Sequence, residues 1–157
     1  MANVQAIRAA LANQLQTQLG IQAYTNMPPT VDPPMFAVLP GQPYISYGKT
    51  MGEMADALGA TMGGVSLSSP LSKNDIQLQV LIIISLAQGY EESQPALDTL
   101  LEPSGNIGSV PTAIDVDPTL GGVVDYCITL DVATYGVIQL VAGQDYFGAR
   151  LRVQVGA

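Results

Sequence analysis

The stretch from Asp75 to Leu86 has the sequence DIQLQVLIIISL, and it decides the fold class. Its first half alternates apolar residues with glutamines, which is the two-residue period of a β-strand. From Leu81 onward both faces turn apolar, which is typical of a central strand that is covered on both sides. The stretch therefore predicts a sheet with this strand in its interior.

The chain after this strand predicts three more strands, over residues 123–132, 136–141 and 146–155. The last of them alternates apolar residues with Arg150, Arg152 and Gln154. Residues 142–145, with the sequence AGQD, predict the turn of a hairpin that joins the last two strands.

The chain before the central strand predicts a hairpin. Residues 35–39 have the composition of a strand, and residues 40–43, with the sequence PGQP, predict a turn. Residues 44–47 then alternate aromatic and small side chains and predict the returning arm. The proline-rich stretch 27–34 precedes this hairpin as an extended connector, because proline fixes φ and removes a donor.

Three helices are predicted from periodicity and capping. Residues 4–19 carry apolar side chains at spacings of three and four, with Asn3 as the N-cap and Gly20 as the C-terminal stop. Residues 91–102 predict a second helix, capped by Ser93 or Gln94, with Pro95 in its first turn. A third, short helix follows a cap at Ser109 and ends before proline 118.

These elements predict a single α+β domain over residues 1–157. Its sheet is mixed or antiparallel with about five to six strands, and the N-terminal helix and one or two further helices pack on one side of it. Within the domain, residues 48–73 are expected to form a long loop rich in glycine and methionine.

The loop is a candidate contact with other subunits, because methionine among glycines makes an adaptable apolar surface. The residues predicted for this role are Lys49, Met51, Met54, Met62 and Lys73. The alternative is a plain loop without a partner, and the two interpretations stand side by side.

The composition favours a subunit of an assembly. Only 11% of the 157 residues are charged, against about 25% in typical globular proteins. A chain with so few charges has much of its surface uncharged, or covered by other subunits. A monomer with little charge is the alternative.

The charge balance excludes sequence-independent nucleic-acid binding. The chain has five basic residues and a net charge of −8, whereas such binding needs a basic surface that neutralises phosphates. An acidic surface instead repels DNA, which suits a passage through which DNA slides without adhering.

The residues for catalysis are missing, so the chain is predicted not to be an enzyme and to use no cofactor. It has no histidine, the usual general base near neutral pH, and one cysteine, Cys127, which is expected to pack in a strand. Asp115 and Asp117 are an alternative hard-metal site, but such ions prefer about six oxygen ligands. No glycine-rich loop has the lysine of a phosphate site.

Arg150 and Arg152 share one face of the last predicted strand, and positive charge is rare in this chain. They are predicted to contact carboxylates of a neighbouring copy. A solvated outer face is the alternative.

The N-terminal residues are not those of a signal peptide, because they have neither a basic start nor a long apolar stretch. The longest apolar run, residues 80–84, is far shorter than the ~20 residues that span a bilayer. The prediction is a cytoplasmic origin with no membrane partner.

The order of segments in the chain resembles that of tail terminator proteins of long-tailed phages, particularly phages of actinobacteria. The proline-rich connector and strand 36–39 follow the first helix as they do in that family. The segments that carry the rest of the resemblance are Ala96–Leu101, Pro103–Gly105, Ser109–Ile114, Asp117–Gly122, a Tyr135–Gly136 hairpin, and Tyr146–Ala149 before the terminal strand.

The resemblance implies a virion protein at the head-proximal end of the tail, assembled in the host cytoplasm. In that family a hexameric ring caps the tail tube, stops its growth and offers a surface to the head-side connector. The implied partners are further copies of the chain, the major tail tube protein and the connector, with DNA passing through the lumen. The alternatives are another head–tail joining protein, such as a neck subunit, and a small ligand- or metal-binding domain that uses Asp115, Asp117 and tyrosines.

Overall fold

The computed structural model of the protein describes residues 3–46, 75–141 and 144–157. These residues form a five-stranded mixed sheet in the order β1-β2-β3-β5-β4, with three helices, and the α+β prediction is confirmed. The elements in chain order are α1 (Val4–Leu19), β1 (Ala23–Tyr24), β2 (Met35–Ser46), β3 (Asp75–Leu86), α2 (Tyr90–Leu101), α3 (Val110–Asp115), β4 (Tyr126–Val141) and β5 (Gln144–Gly156).

β3 is the middle strand of the sheet, as its sequence predicts. It pairs antiparallel with β2 on one side and with β5 on the other, and Val80 lies opposite Val38 and Leu151. Leu81 and Ile82 point to opposite faces and are both fully buried. Both faces of β3 are therefore covered at this point, which explains the loss of alternation after residue 80.

α1 begins and ends where its capping residues predict. The side chain of Asn3 accepts a hydrogen bond from the backbone N–H of Ala6 at 2.7 Å. Gly20 adopts a φ of 69°, the left-handed conformation that glycine reaches without a Cβ penalty. Ile7, Leu11 and Leu15 are fully buried, so α1 packs its apolar stripe against the sheet.

All three helices pack on one face of the sheet and enclose the main core. The opposite face carries a smaller apolar cluster at one end only. This cluster comprises Met35, Ala37, Leu81, Ile83, Ile138 and Tyr146, with Met27 and Val31 of the proline-rich connector packed against it. The connector therefore covers part of the face that the helices leave open.

The predicted hairpin over residues 35–47 is wrong. β2 is one strand, and both of its halves pair with β3, since Pro40 lies opposite Leu78 and Ile45 lies opposite Ile76. The predicted turn is a bulge opposite Gln77, where Gly41 approaches the neighbouring backbone so closely that a Cβ would lie 2.7 Å from the Gln77 carbonyl oxygen. The residues that predicted a turn therefore form a bulge, and the chain does not reverse its direction there.

The separate strands predicted over 123–132 and 136–141 are also wrong. β4 is continuous over Tyr126–Val141 and pairs with β5 along its length. Bulges in β4 place an extra residue at Leu130 and at Ala133. Pairing with β5 keeps the chain extended through this stretch, although Gly136 has a φ of 124°. The hairpin that joins the last two strands is confirmed, with Val141 opposite Gln144.

α2 starts earlier than predicted, at Tyr90, and its N-cap is Gly89 instead of Ser93 or Gln94. Pro95 therefore lies inside the helix, where it lacks the N–H that would bond the carbonyl one turn earlier. Burial of Leu97 and Leu100 against the core sets the helix despite this loss. The predicted cap of α3 is confirmed, because Ser109 Oγ accepts from the N–H of Thr112 at 3.2 Å.

Candidate interaction surfaces

The first candidate surface is the outer face, which we define as the part of the sheet opposite the helices that the connector leaves uncovered. Its side chains are those of Gln77, Gln79, Asp131, Thr134, Arg150, Arg152 and Gln154. Both predicted arginines lie on it, since they are two residues apart on β5. The sheet thus brings the rare positive charge to one polar surface.

Arg152 has a carboxylate partner in its own chain. It lies opposite Asp131 on β4, and its Nε donates to Asp131 Oδ1 at 2.6 Å while its Nη2 donates to Oδ2. This bidentate hydrogen bonding lowers the pKa of Asp131 and raises the pKa of Arg152. Strand pairing between β4 and β5 creates the contact, and the sequence offers no signal for it.

Arg150 differs from Arg152. It lies opposite Leu81 on β3 and Thr134 on β4, so neither cross-strand neighbour carries a charge. Its side chain is half-buried, and within the described ranges it makes no ion pair. Of the two arginines, Arg150 keeps its charge available for a partner.

The candidate contacts in the predicted loop lie outside the described residues. They are Lys49, Met51, Met54, Met62 and Lys73. They stay predictions.

The second candidate surface is the β4 edge, which we define as the side of β4 that faces away from β5. The apolar side chains of this strand are exposed to an unusual degree. They belong to Ile128, Leu130, Val132, Tyr135 and Val137, and each of these residues is between 39% and 57% exposed. A long apolar edge strand offers unpaired backbone groups and apolar side chains to another chain. Sequence reasoning missed this surface, because it divided β4 into two strands.

A groove of about 390 Å³ runs along the β4 edge on the helix side of the sheet. Leu101 and Pro103 at the end of α2 and Pro111 in α3 form one wall, and residues 128–132 form the other. The groove floor includes Thr129, whose Oγ1 is buried without a hydrogen-bond partner in the described part of the chain. The groove extends the apolar strip from β4 towards the helices.

The cysteine lies in the core, as predicted. Cys127 is fully buried, and burial, with a smaller contribution from Asp115, raises the pKa of its thiol to about 12. The nucleophilic thiolate is therefore scarce near neutral pH. The Cys127 side chain therefore packs in the main core of the protein.

The two aspartates of the alternative metal site have separate local partners. Asp115 accepts a hydrogen bond from the Ser104 hydroxyl. Asp117 accepts from the N–H and hydroxyl of Thr119 and from the N–H of Gly121 at 2.7 Å, and these bonds lower its pKa. Across residues 3–46, 75–141 and 144–157, no three potential metal-binding side chains lie together. The second aspartate thus stabilises the turn after α3.

Comparison with known proteins adds no family assignment. No protein-family model matches the chain, and no curated protein matches it significantly. None of the described helices is long and apolar enough to cross a bilayer.

Proposed function

We propose that this chain is a non-catalytic structural subunit whose copies form a ring at the head-proximal end of a phage tail. The ring ends growth of the tail tube and joins it to the head-side connector. The observation that carries the assembly part of the proposal is the β4 edge, with its five exposed apolar side chains in an edge strand of 16 residues. A soluble monomer normally protects such an edge.

The composition supports the same conclusion. The net charge of −8 and the low charged fraction fit a subunit that is partly covered by its neighbours. An acidic ring would also let DNA pass through its lumen, because like charge keeps phosphates from adhering.

The placement of the ring in a phage tail rests on the order of segments. The folded chain has the elements of that order: α1, the connector, β2, then α2, the Ser109-capped α3 and the closing β4–β5 hairpin. The resemblance to tail terminators gives these elements a common function. The resemblance also implies two partner proteins, the tail tube protein and the head-side connector of the phage.

Electron microscopy of the purified protein with tail tubes tests the proposal. We expect rings of uniform size in the protein alone, or on addition of tubes, and labelled protein at one end of each tube. A protein that stays monomeric and never decorates tube ends would contradict the proposal. Decoration of the portal-side ring in the absence of tubes would instead indicate a neck subunit.

Arg150 gives a prediction about assembly. We expect Arg150→Glu to raise the dissociation constant of the oligomer about tenfold. The change replaces a positive charge that makes no ion pair within the described ranges by a repulsive charge in an acidic assembly. Analytical ultracentrifugation over a dilution series measures the effect, and Tm reports on the fold.

The matched control is the double variant Asp131→Arg/Arg152→Asp, which exchanges the charges of an intrachain pair while keeping the net charge. We expect it to assemble like the parent. Normal assembly of Arg150→Glu would remove Arg150 from the interface.

A further inference from the structure

We infer that the β4 edge of one copy docks against the opposite edge of the sheet in the next copy, on the side that carries Arg8. The inference rests on the proposed ring and names the surfaces that build it. The inference follows from two properties of the sheet edges. One edge is open and the other is partly covered, and the two edges differ in charge.

In the part of the chain that the structure describes, the β4 edge is open along its length. Among the described residues no strand pairs with its outer side, since β4 is the last strand in the order. The stretch Thr134–Gln139 pairs with β5 in regular register, whereas the bulges at Leu130 and Ala133 interrupt the stretch before it. The exposed apolar side chains and the adjoining groove make this edge the main apolar surface in the part of the chain that the structure describes.

The opposite edge is protected against strand pairing. β1 has only two residues and covers β2 at Phe36 and Ala37. Further along β2, Arg8 Nε donates to the carbonyl of Val38 at 3.2 Å, and Pro40 has no N–H to offer. Two copies therefore cannot extend one sheet into the next through a ladder over residues 36–40 of this edge. Contact at this part of the edge has to be made by side chains.

The two edges differ in charge. Asp98 and Asp115 lie beside β4. The Asp98 carboxylate accepts a hydrogen bond from the hydroxyl of Tyr135 at 2.8 Å, and Asp115 borders the groove. The adjacent Asp131 is neutralised by Arg152. The β4 edge is therefore an apolar strip with an acidic border.

Arg8 provides the complementary charge on the other edge. Its guanidinium contacts oxygen atoms of Thr25, Val38 and Asn26, which carry no formal charge, and in the described ranges it forms no ion pair. The cation is thus held in place at the edge with its charge uncompensated. A neighbouring acidic border would compensate it.

These charges favour head-to-tail contact over pairing of two β4 edges. Two β4 edges would bring equal acidic borders together, whereas the head-to-tail arrangement brings an acidic border to an arginine. A head-to-tail contact uses two different surfaces of each copy, and repetition of it closes into a ring when the rotation permits. The charge argument and the proposed ring therefore require the same kind of contact.

A lysine in the β4 edge tests its part in assembly. We expect Val137→Lys to raise the dissociation constant of the oligomer at least about tenfold, because it places a desolvated charge in an apolar contact. The control is Ile107→Lys, at an apolar residue outside β4 that is 94% exposed. Both variants should keep the parent Tm within about 2 °C, since surface substitutions change stability little.

Cross-linking between two variants that each carry one added cysteine tests the direction of the contact. Val137→Cys lies on the β4 edge, and Gln22→Cys lies beside β1 on the opposite edge. With a flexible bismaleimide, we expect cross-linked dimers in a mixture of the two variants and only traces with either variant alone. The buried Cys127 serves as an internal control that should not react.

Each other outcome overturns the inference. Efficient cross-linking of Val137→Cys with itself would indicate pairing of two β4 edges. Unchanged assembly of Val137→Lys into rings on tube ends would remove the β4 edge from the contact while leaving the proposed function intact. A parent protein that stays monomeric with and without tubes would contradict both.

Discussion

A Gly148→Ala variant is expected to lose about 3 kcal/mol or more of its free energy of unfolding, although it adds a single methyl group. Gly148 lies on β5 opposite Ile83, in the middle of the sheet. A Cβ at this position would lie 1.8 Å from the carbonyl oxygen of Ile82 and 2.9 Å from its carbonyl carbon. These are backbone atoms of the neighbouring strand, so no side-chain rotation relieves the overlap. The sheet has to separate locally between β3 and β5.

Urea unfolding followed by circular dichroism measures this loss, with Gly20→Ala as the control. Gly20 has a φ of 69° and open space where its Cβ would lie, so alanine there meets only backbone strain. That strain is worth about 1–2 kcal/mol. The comparison separates steric overlap from conformational preference. Equal losses in the two variants would mean that β3 and β5 do not approach as closely as the structure has them.

Replacing one of the two largest side chains in the main core should have the second large effect. Phe36 is fully buried on the helix side of β2, within the core that α1 helps to enclose. We expect Phe36→Ala to lower the free energy of unfolding by about 3–5 kcal/mol, because it removes apolar contacts and leaves a cavity. The backbone N–H of Phe36, which donates to the carbonyl of Gln22 at 2.9 Å, is kept in the variant. The effect therefore reports on the side chain.

The control for this prediction is Leu86→Ala, at the end of β3, where the residue is 47% exposed. It should cost about 1 kcal/mol or less, since little apolar area is removed from a buried site. Thermal and urea unfolding of both variants check the difference. A loss below about 1 kcal/mol for Phe36→Ala would show that the space between α1 and β2 is not closely packed.

The elements with strong local signals could be predicted from the sequence. The cap at Asn3, the stop at Gly20 and the apolar stripe between them specify α1, because each signal acts within one or two turns of the helix. The cap at Ser109 specifies α3 in the same way. The alternation in β3 predicts a strand, and its apolar second half predicts that this strand lies inside the sheet.

The predictions that failed depended on turn residues in long strands. The stretch PGQP in β2 favours a turn locally, and Gly136 in β4 interrupts the strand pattern. In the fold, each lies in a strand that pairs with a long partner, and the pairing energy of the whole ladder outweighs the local preference. Bulges absorb the residues that do not fit the register.

Some features of the candidate surfaces could likewise be predicted from the sequence, and others could not. The sequence by itself determined the scarcity of charge, the absence of a histidine base and the placement of Arg150 and Arg152 on one strand face, because these follow from composition and from a period of two residues. Only the tertiary structure decided that Arg152 pairs with Asp131, and that β4 lies at the edge with its apolar side chains exposed. The physical reason is that strand order and cross-strand register arise from contacts between residues far apart in the chain, which local periodicity does not encode.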